Sequence, residues 1–186
     1  MTDRTGMPID TGILETVIAL NSLDIITSQS CEGHLDHGRP YPWITFITPD
    51  AVKIARQSAS AFTQAIQYKE QEKCSEEALQ AIYDKANLLK SQAEQLHATD
   101  QQKLLDYLAA FYSIRHISFD CRLMIYTRVP GTSCLESQGA TTIIGQPPDI
   151  QKQKLKIYQE EMLTFTEFLQ KTYFKDAAID RKTTIL

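Results

Sequence analysis

The chain has no long hydrophobic run. No apolar stretch approaches the ~18 residues that a membrane-spanning helix needs, so the sequence predicts no transmembrane segment. The first residues, Met1 to Gly6, are mostly polar and lack the apolar stretch of a secretion signal. No internal repeat, low-complexity run or shift in composition marks a linker between domains.

Cysteine is sparse, and its spacing is not that of a disulfide framework or a common zinc motif. The four cysteines include no CxxC pair and no close spacing; they are Cys31, Cys74, Cys121 and Cys134. Without a secretion signal or paired spacing, the cysteines favour a cytoplasmic protein with reduced thiols.

No charge of one sign dominates. The chain has 23 acidic and 19 basic residues, which are mixed along its length and give a net charge of -4. This balance argues against a broad nucleic-acid-binding surface or a membrane-binding surface, although a local basic pocket is compatible with it.

The length and composition of the chain are those of a globular protein. The 186 residues are 42% hydrophobic and 23% charged, which is ordinary for a folded domain. A chain of this length can bury a core without disulfides or a structural metal. We therefore expect one domain over residues 1–186, with loosely ordered ends at 1–8 and 175–186.

Hydrophobic periodicity predicts an α+β fold. We expect a small, mostly antiparallel sheet packed against helices, with a long helical hairpin or bundle between strands 2 and 3. The predicted helices cover about 11–21, 51–115 with breaks at 74–77 and 97–100, and 149–173. The predicted strands cover 23–27, 43–48, 118–129 and 140–144.

The predicted helical lobe, about 51–115, carries two apolar stripes. One has the spacing of a helix face and consists of Val52, Ala55, Ala59, Phe62 and Ile66. The other has heptad spacing and consists of Leu79, Ile82, Ala86, Leu89, Ala93 and Leu96. Heptads of this length fit either packing within the chain or a homodimeric coiled coil.

The segment Ser28–Trp43 is unusually rich in reactive side chains. An apolar run precedes it and another follows it, so it reads as strand, loop, strand. Its functional groups belong to Cys31, Glu32, His34, Asp36, His37, Arg39, Tyr41 and Trp43. A loop needs far fewer such groups in order to turn, and loops often carry function.

One interpretation of this segment is a metal site. Cys31, His34 and His37 have C-x2-H-x2-H spacing, and their side chains are competent ligands for zinc or iron. Glu32 or Asp36 can act as a fourth ligand or as a partner of a ligand.

A second interpretation is catalysis by Cys31, Glu32 and His34. A cysteine after a strand and close to imidazoles can have a lowered thiol pKa. Ser30 and the backbone around Gly33 would then bind the ligand, with exposed amides holding an anion. In the purely structural alternative, Cys31 is buried, Glu32 pairs with an arginine and His34 braces the turn.

A second polar cluster flanks the later strands. If residues 119–125 alternate as a strand, Asp120, Arg122 and Met124 share one face and Phe119 lies on the face towards the helices. Arg122 or Arg128 would then bind an anionic group of a ligand held by the Cys31 loop. The structural alternative is a solvated sheet face.

The segment from Thr27 to His34, with the sequence TSQSCEGH, resembles a recurrent S-C-x-G-H segment in uncharacterised bacterial and phage proteins. It is also distantly similar to the S-S-C-S-G-R segment in the methyltransferase family of tRNA wybutosine synthesis. The similarity covers about residues 9–48, and His34 stands where that family has arginine, so its substrate and cofactor are not carried over. The resemblance implies that such a strand–loop–strand can serve as a ligand site.

Two hypotheses for the function follow. The first is an enzyme that uses the Cys31 loop on a small polar or phosphorylated substrate, with or without a metal. The second is a noncatalytic module that recognises a small-molecule ligand or a partner through the same pocket and the helical lobe.

Overall fold

The computed structural model describes residues 1–71 and 75–174. Its helices are α1 (Thr11–Ser22), α2 (Pro49–Glu70), α3 (Glu76–Ile114) and α4 (Pro148–Tyr173). Its strands are β1 (Thr27–Cys31), β2 (Trp43–Ile47), β3 (Leu123–Val129) and β4 (Thr132–Ser137), and short 3₁₀ helices span Phe119–Cys121 and Ala140–Ile143. The α+β prediction is confirmed, including the long helical stretch between strands 2 and 3.

The four strands form one antiparallel sheet in the order β1-β2-β4-β3. In the pairing of β1 with β2, Ser30 lies opposite Ile44 and Cys31 lies opposite Trp43. A bulge near Thr27 shifts the register. The Cys31 loop therefore leaves the sheet from the end of an edge strand and returns into its neighbour.

The chain divides into two compact units. The first contains Met1–Phe46, Lys103–Tyr126 and the described residues from Cys134 onward. The second contains Ile47–Gln102 and Thr127–Ser133. The predicted lobe at 51–115 thus overlaps the second unit, but the last part of α3 belongs to the first.

The core of the first unit is built on α1 and α4. Apolar residues at heptad spacing along α4 are all buried, at Leu155, Tyr158, Met162, Phe165 and Leu169. Residues from α1, β2 and β4 complete this core, among them Ile13, Leu20, Ile44, Phe46 and Leu135. Full burial of such side chains stabilises the fold by about 1.5–3 kcal/mol each.

In the second unit, α2 and α3 bury small residues along their contact. Ser58, Ala65, Ala86 and Ala93 are buried, and the Ser58 hydroxyl donates to the carbonyl of Ala86 at 2.7 Å. The buried stripe of α2 therefore lies one residue before the predicted one, because Ala59 and Ile66 are exposed. The α3 stripe agrees with the prediction at Ala86 and Ala93.

The predicted helix break at 97–100 is wrong, since α3 continues through it. His97 is 2% exposed, whereas Leu96, predicted to face the core, is 44% exposed. The imidazole of His97 lies 2.8 Å from the hydroxyls of both Thr48 and Ser133, so its polar atoms are satisfied inside the unit. These tertiary contacts allow a polar residue to occupy the buried position.

The beginning of α3 agrees better with the prediction. Ser75 caps it by accepting a hydrogen bond from the N–H of Ala78 at 3.3 Å. Cys74 and the predicted tail at 175–186 lie outside the described residues.

The first strand begins later than predicted, at Thr27. Residues 23–26 form the turn out of α1, where Asp24 has a φ of 59° and the N–H of Ile25 donates to the carbonyl of Leu20 at 3.0 Å. The side chain of Asn21 bonds both the N–H and the hydroxyl of Thr27, which fixes where β1 begins.

Three further predictions are corrected. Residues 140–143 form a 3₁₀ helix instead of a strand. Residues 119–121 also form a 3₁₀ helix, and Phe119 is therefore 71% exposed instead of facing the helices. Residues 1–8 fold back on themselves, because the Asp3 carboxylate accepts hydrogen bonds from the N–H groups of Thr5 and Met7. Thr2 and Pro8 form an isolated β-bridge there.

Within residues 1–71 and 75–174, no helix combines the length and the apolar character needed to cross a bilayer.

Candidate functional site

The candidate site is the loop that joins β1 to β2, residues 32–42. The strand–loop–strand order agrees with the prediction, but residues 28–31, predicted as loop, belong to β1, and Cys31 is its last residue. The N–H of His34 donates to the carbonyl of Arg39 at 2.9 Å and closes the loop on itself. This bond places His34 and Arg39 next to each other at the base of the loop.

Gly33 makes the sharp turn after Cys31 possible. Its φ is 87°, a left-handed conformation that glycine adopts without strain. A Cβ at this position would lie 2.6 Å from the carbonyl carbon of Tyr41 and 2.6 Å from a methyl group of Leu155. The sequence-based interpretation of Gly33 as the turning point agrees with both observations.

Asp10, Cys31 and His34 bring their ligand atoms together. The carboxylate, the thiol and the imidazole each offer one atom, and these atoms all lie within 4.8 Å of one another. Oδ2 of Asp10 lies 3.2 Å from Nε2 of His34 and accepts the N–H of Glu32 at 3.1 Å. All three side chains are partly buried, so the cluster is shielded but open to solvent.

Asp10 is charged in this setting. Burial opposes its ionisation, but the N–H of Glu32 and the His34 imidazole outweigh burial and hold the pKa of Asp10 below its ordinary value. A negative charge is therefore fixed beside Cys31.

The Cys31 thiol has the opposite shift. Burial raises the pKa of Cys31, and the Asp10 and Glu32 carboxylates raise it further, although the N–H of Gly33 points at its sulfur from 3.4 Å. The expectation of a lowered thiol pKa is therefore wrong. In the absence of a cation, Cys31 is a protonated thiol and a poor nucleophile.

The Glu32 side chain braces the start of α1. Its Oε2 accepts the N–H of Gly12 at 2.6 Å, where helix amides lack partners within the helix. Its backbone carbonyl accepts the side-chain amide of Gln159 in α4 at 2.9 Å. Glu32 thus ties the loop to two helices, and a catalytic role for it stays a prediction.

A second possible ligand group overlaps the first and shares His34. It contains His34, Asp36 and His37. The rings of His34 and His37 stack with centroids 4.2 Å apart, and Nδ1 of His37 lies 2.8 Å from the Asp36 carboxylate. Asp36 and His37 are exposed, so this group is less shielded from water than the first.

Arg39 of the loop faces a buried carboxylate, that of Glu136 in β4. Nη1 of Arg39 lies 3.9 Å from Oε2 of Glu136, whose side chain is 4% exposed. The Tyr126 hydroxyl donates to the same oxygen at 3.3 Å. Burial, together with Cys134 and Glu136, raises the pKa of Tyr126 to about 12, so it remains a donor at neutral pH.

Arg39 also lies over two aromatic rings. Its guanidinium carbon is 5.5 Å from the centre of the Trp43 ring and 5.8 Å from that of Tyr41. Such contacts hold a cation in place by interaction with the ring faces.

Three predicted ligand-binding residues lie elsewhere. Ser30 points to the opposite face of β1 from Cys31, because successive strand residues alternate. Arg122 lies over the Tyr112 ring at 5.5 Å, and its Nε is buried without a hydrogen-bond partner among the described residues. Arg128 is exposed and belongs to the second unit. No described contact joins Arg122 to the Cys31 loop.

Sequence reasoning missed Asp10, Glu136 and Tyr126. Asp10 stands at the N-cap position of α1, yet its side chain makes no capping hydrogen bond and instead accepts the N–H of Glu32 in the loop. An acidic residue before a helix is common, so the sequence carried no specific signal for this role.

Comparisons with protein-family models, with curated proteins and with solved structures found no match to this chain.

Proposed function

We propose that the chain binds a transition-metal dication, zinc or iron(II), through Asp10, Cys31 and His34, as the centre of a site for a small polar ligand. One observation carries this proposal: an oxygen, a sulfur and a nitrogen ligand atom lie within 4.8 Å of one another, although Asp10 is more than 20 positions from Cys31 and His34 in the chain. Carboxylate, thiolate and imidazole are all zinc ligands, and the mixed set suits iron(II) as well.

The surroundings of the cluster support a ligand role for Cys31. A divalent cation reverses the local electrostatics, because it stabilises the thiolate that Asp10 and Glu32 otherwise disfavour. The N–H of Gly33 directed at the sulfur favours the thiolate too. The backbone N–H of Glu32 donates to the Asp10 carboxylate and so fixes the position of Asp10, the second ligand.

Three protein ligands leave a coordination position open, as in catalytic rather than structural zinc sites. The metal would act there as a Lewis acid or would activate a bound water. The carbonyl of Arg39 accepts the N–H of His34, and the guanidinium of Arg39 adds a positive charge to the same loop. Because this guanidinium already faces the buried Glu136 carboxylate at 3.9 Å, we expect a small polar substrate that is held mainly at the open coordination position.

The experiment is a titration of chelator-treated protein with zinc and with cobalt(II), whose visible spectrum reports thiolate coordination. We expect one metal per chain and a sulfur-to-cobalt absorption band. Asp10→Asn, Cys31→Ser and His34→Gln should each weaken binding by more than the roughly 10–100-fold typical of a lost second-shell partner.

Two histidine variants serve as controls. His116→Gln removes an exposed histidine outside the site and should bind metal as the wild type does. His37→Gln distinguishes the two overlapping groups, because it should leave affinity nearly unchanged if Asp10, Cys31 and His34 are the ligands. Metal binding that survives Cys31→Ser but is lost in His37→Gln would reject this ligand set, and no stoichiometric binding at all would reject the proposal.

A further inference from the structure

A cavity in the second unit is independent of the loop and its metal ligands. It has a volume of about 510 Å³ and is bounded by α2, α3 and the turn between β3 and β4. Most of its wall is apolar, formed by Val52, Ala55, Ala59, Phe62, Val129 and Pro130. A volume of this size lies within the range of small-molecule sites, about 300–1,000 Å³.

Specific contacts fix the walls. The Ser58 hydroxyl ties α2 to α3 through the carbonyl of Ala86 at 2.7 Å. The β3–β4 turn lies directly on the start of α2, since a Cβ on Gly131 would come within 2.7 Å of the backbone nitrogen of Val52. The carbonyl of Gly131 also accepts the N–H of Thr48 at 3.1 Å. The cavity is therefore part of the folded unit and not a gap beside a loose turn.

The charged residues on the wall of this cavity are basic. Arg56 and Lys90 line the cavity, and no acidic residue does so within the described part of the chain. Lys90 makes a surface pair with Glu94 at 3.9 Å, which is a weak interaction at such an exposed site. The Arg56 side chain has no ion pair with any described residue.

We propose that this cavity binds an amphipathic anion, namely a medium-chain carboxylate or a molecule with an equivalent acyl tail. The tail occupies the apolar wall around Ala59 and Phe62, where burial of each methylene group is favourable. The carboxylate pairs with Arg56 and Lys90. An uncharged or cationic amphiphile cannot form the ion pairs with Arg56 and Lys90.

The test is calorimetric titration with dodecanoate below its micelle-forming concentration. We expect one site per chain. Arg56→Gln should weaken binding about tenfold, the effect of one modest ionic interaction. Ala59→Trp, at an exposed helix position where the side chain would occupy the cavity, should abolish binding without loss of helix content by circular dichroism.

The matched control is Lys53→Gln, which removes an exposed cation from the same helix outside the cavity wall and should bind dodecanoate as the wild type does. Equal binding of dodecyltrimethylammonium, or equal weakening by Lys53→Gln and Arg56→Gln, would overturn the assignment. So would binding that persists in Ala59→Trp. Concentration-dependent dimerisation that Ala59→Trp abolishes would show that a second copy of the chain covers the cavity instead.

Discussion

Oδ2 of Asp10 lies 3.2 Å from Nε2 of His34, although 24 positions separate the two residues in the chain. The same oxygen accepts the backbone N–H of Glu32, so Asp10 both orients the loop and places a negative charge beside it. Cys31 completes the group. This arrangement makes the protonation state of Cys31 the variable that a metal would change.

We predict that zinc binding releases a proton from Cys31. Because burial and the neighbouring carboxylates raise the pKa of the thiol, it is protonated at neutral pH, and a zinc-bound cysteine must be deprotonated. Calorimetry in two buffers of different ionisation enthalpy measures the release. It should be lost in Cys31→Ser, and an equal release from that variant would exclude Cys31 as its source.

Gly33→Ala should destabilise the fold more than Gly38→Ala. Both glycines have positive φ, at 87° and 72°, so both substitutions introduce backbone strain of about 1–3 kcal/mol. Only the Gly33 methyl group would meet Tyr41 and Leu155, which adds roughly 1–3 kcal/mol of overpacking. Urea unfolding of the two variants measures the difference. Equal free energies of unfolding would contradict the tight packing of the loop.

Arg115→Met should lower the free energy of unfolding by about 3 kcal/mol, the lower end of the usual cost of removing one partner of a buried ion pair, because the Tyr112 hydroxyl still donates to Glu161 at 3.0 Å. Nε and Nη2 of Arg115 bond Oε2 of Glu161, whose side chain is 0% exposed. The control is Lys156→Met, which removes a surface pair with Glu160 and should cost under about 1 kcal/mol. Similar losses in the two variants would mean that the buried pair contributes no more than the surface pair.

His97 should make stability depend on pH. Burial lowers its pKa below the ordinary value of 6.5, although Asp100 partly opposes this shift. The unfolded chain then binds the proton more readily than the folded one. The stabilisation is complete above the unfolded pKa of about 6.5 and is lost as the pH falls below it towards the folded pKa.

Thermal melts at a series of pH values measure this effect. We expect His97→Gln to flatten the fall in melting temperature below the ordinary histidine pKa, whereas His116→Gln should keep the wild-type slope. An unchanged slope in His97→Gln would assign the pH dependence to other groups.

The regular elements could be predicted where one physical signal dominated. The stripe of α4, from Leu155 to Leu169, is buried as its spacing indicates, because a helix that packs on one side needs apolar residues at that period. Trp43–Ile47 alternates and is a strand. In both cases the local preference and the tertiary environment agree.

Predictions failed where a polar residue found its partner through the fold. His97 reads as a helix break, but Thr48 and Ser133 satisfy its two ring nitrogens and α3 continues. Likewise, the bonds between Asn21 and Thr27 set the start of β1 after the apolar run that the sequence favours. Side-chain partners of this kind cannot be assigned from spacing alone.

The sequence alone is enough to predict the α+β class and the unusual content of thiol, imidazole and carboxylate groups between the first two strands, although it places the first strand too early. These properties depend on periodicity and composition, which are local. Folding determines that Asp10 joins Cys31 and His34, that Glu32 braces α1 and that the pKa of Cys31 is raised. Each of these depends on which charges and backbone amides surround a side chain, and folding brings those groups from distant parts of the chain.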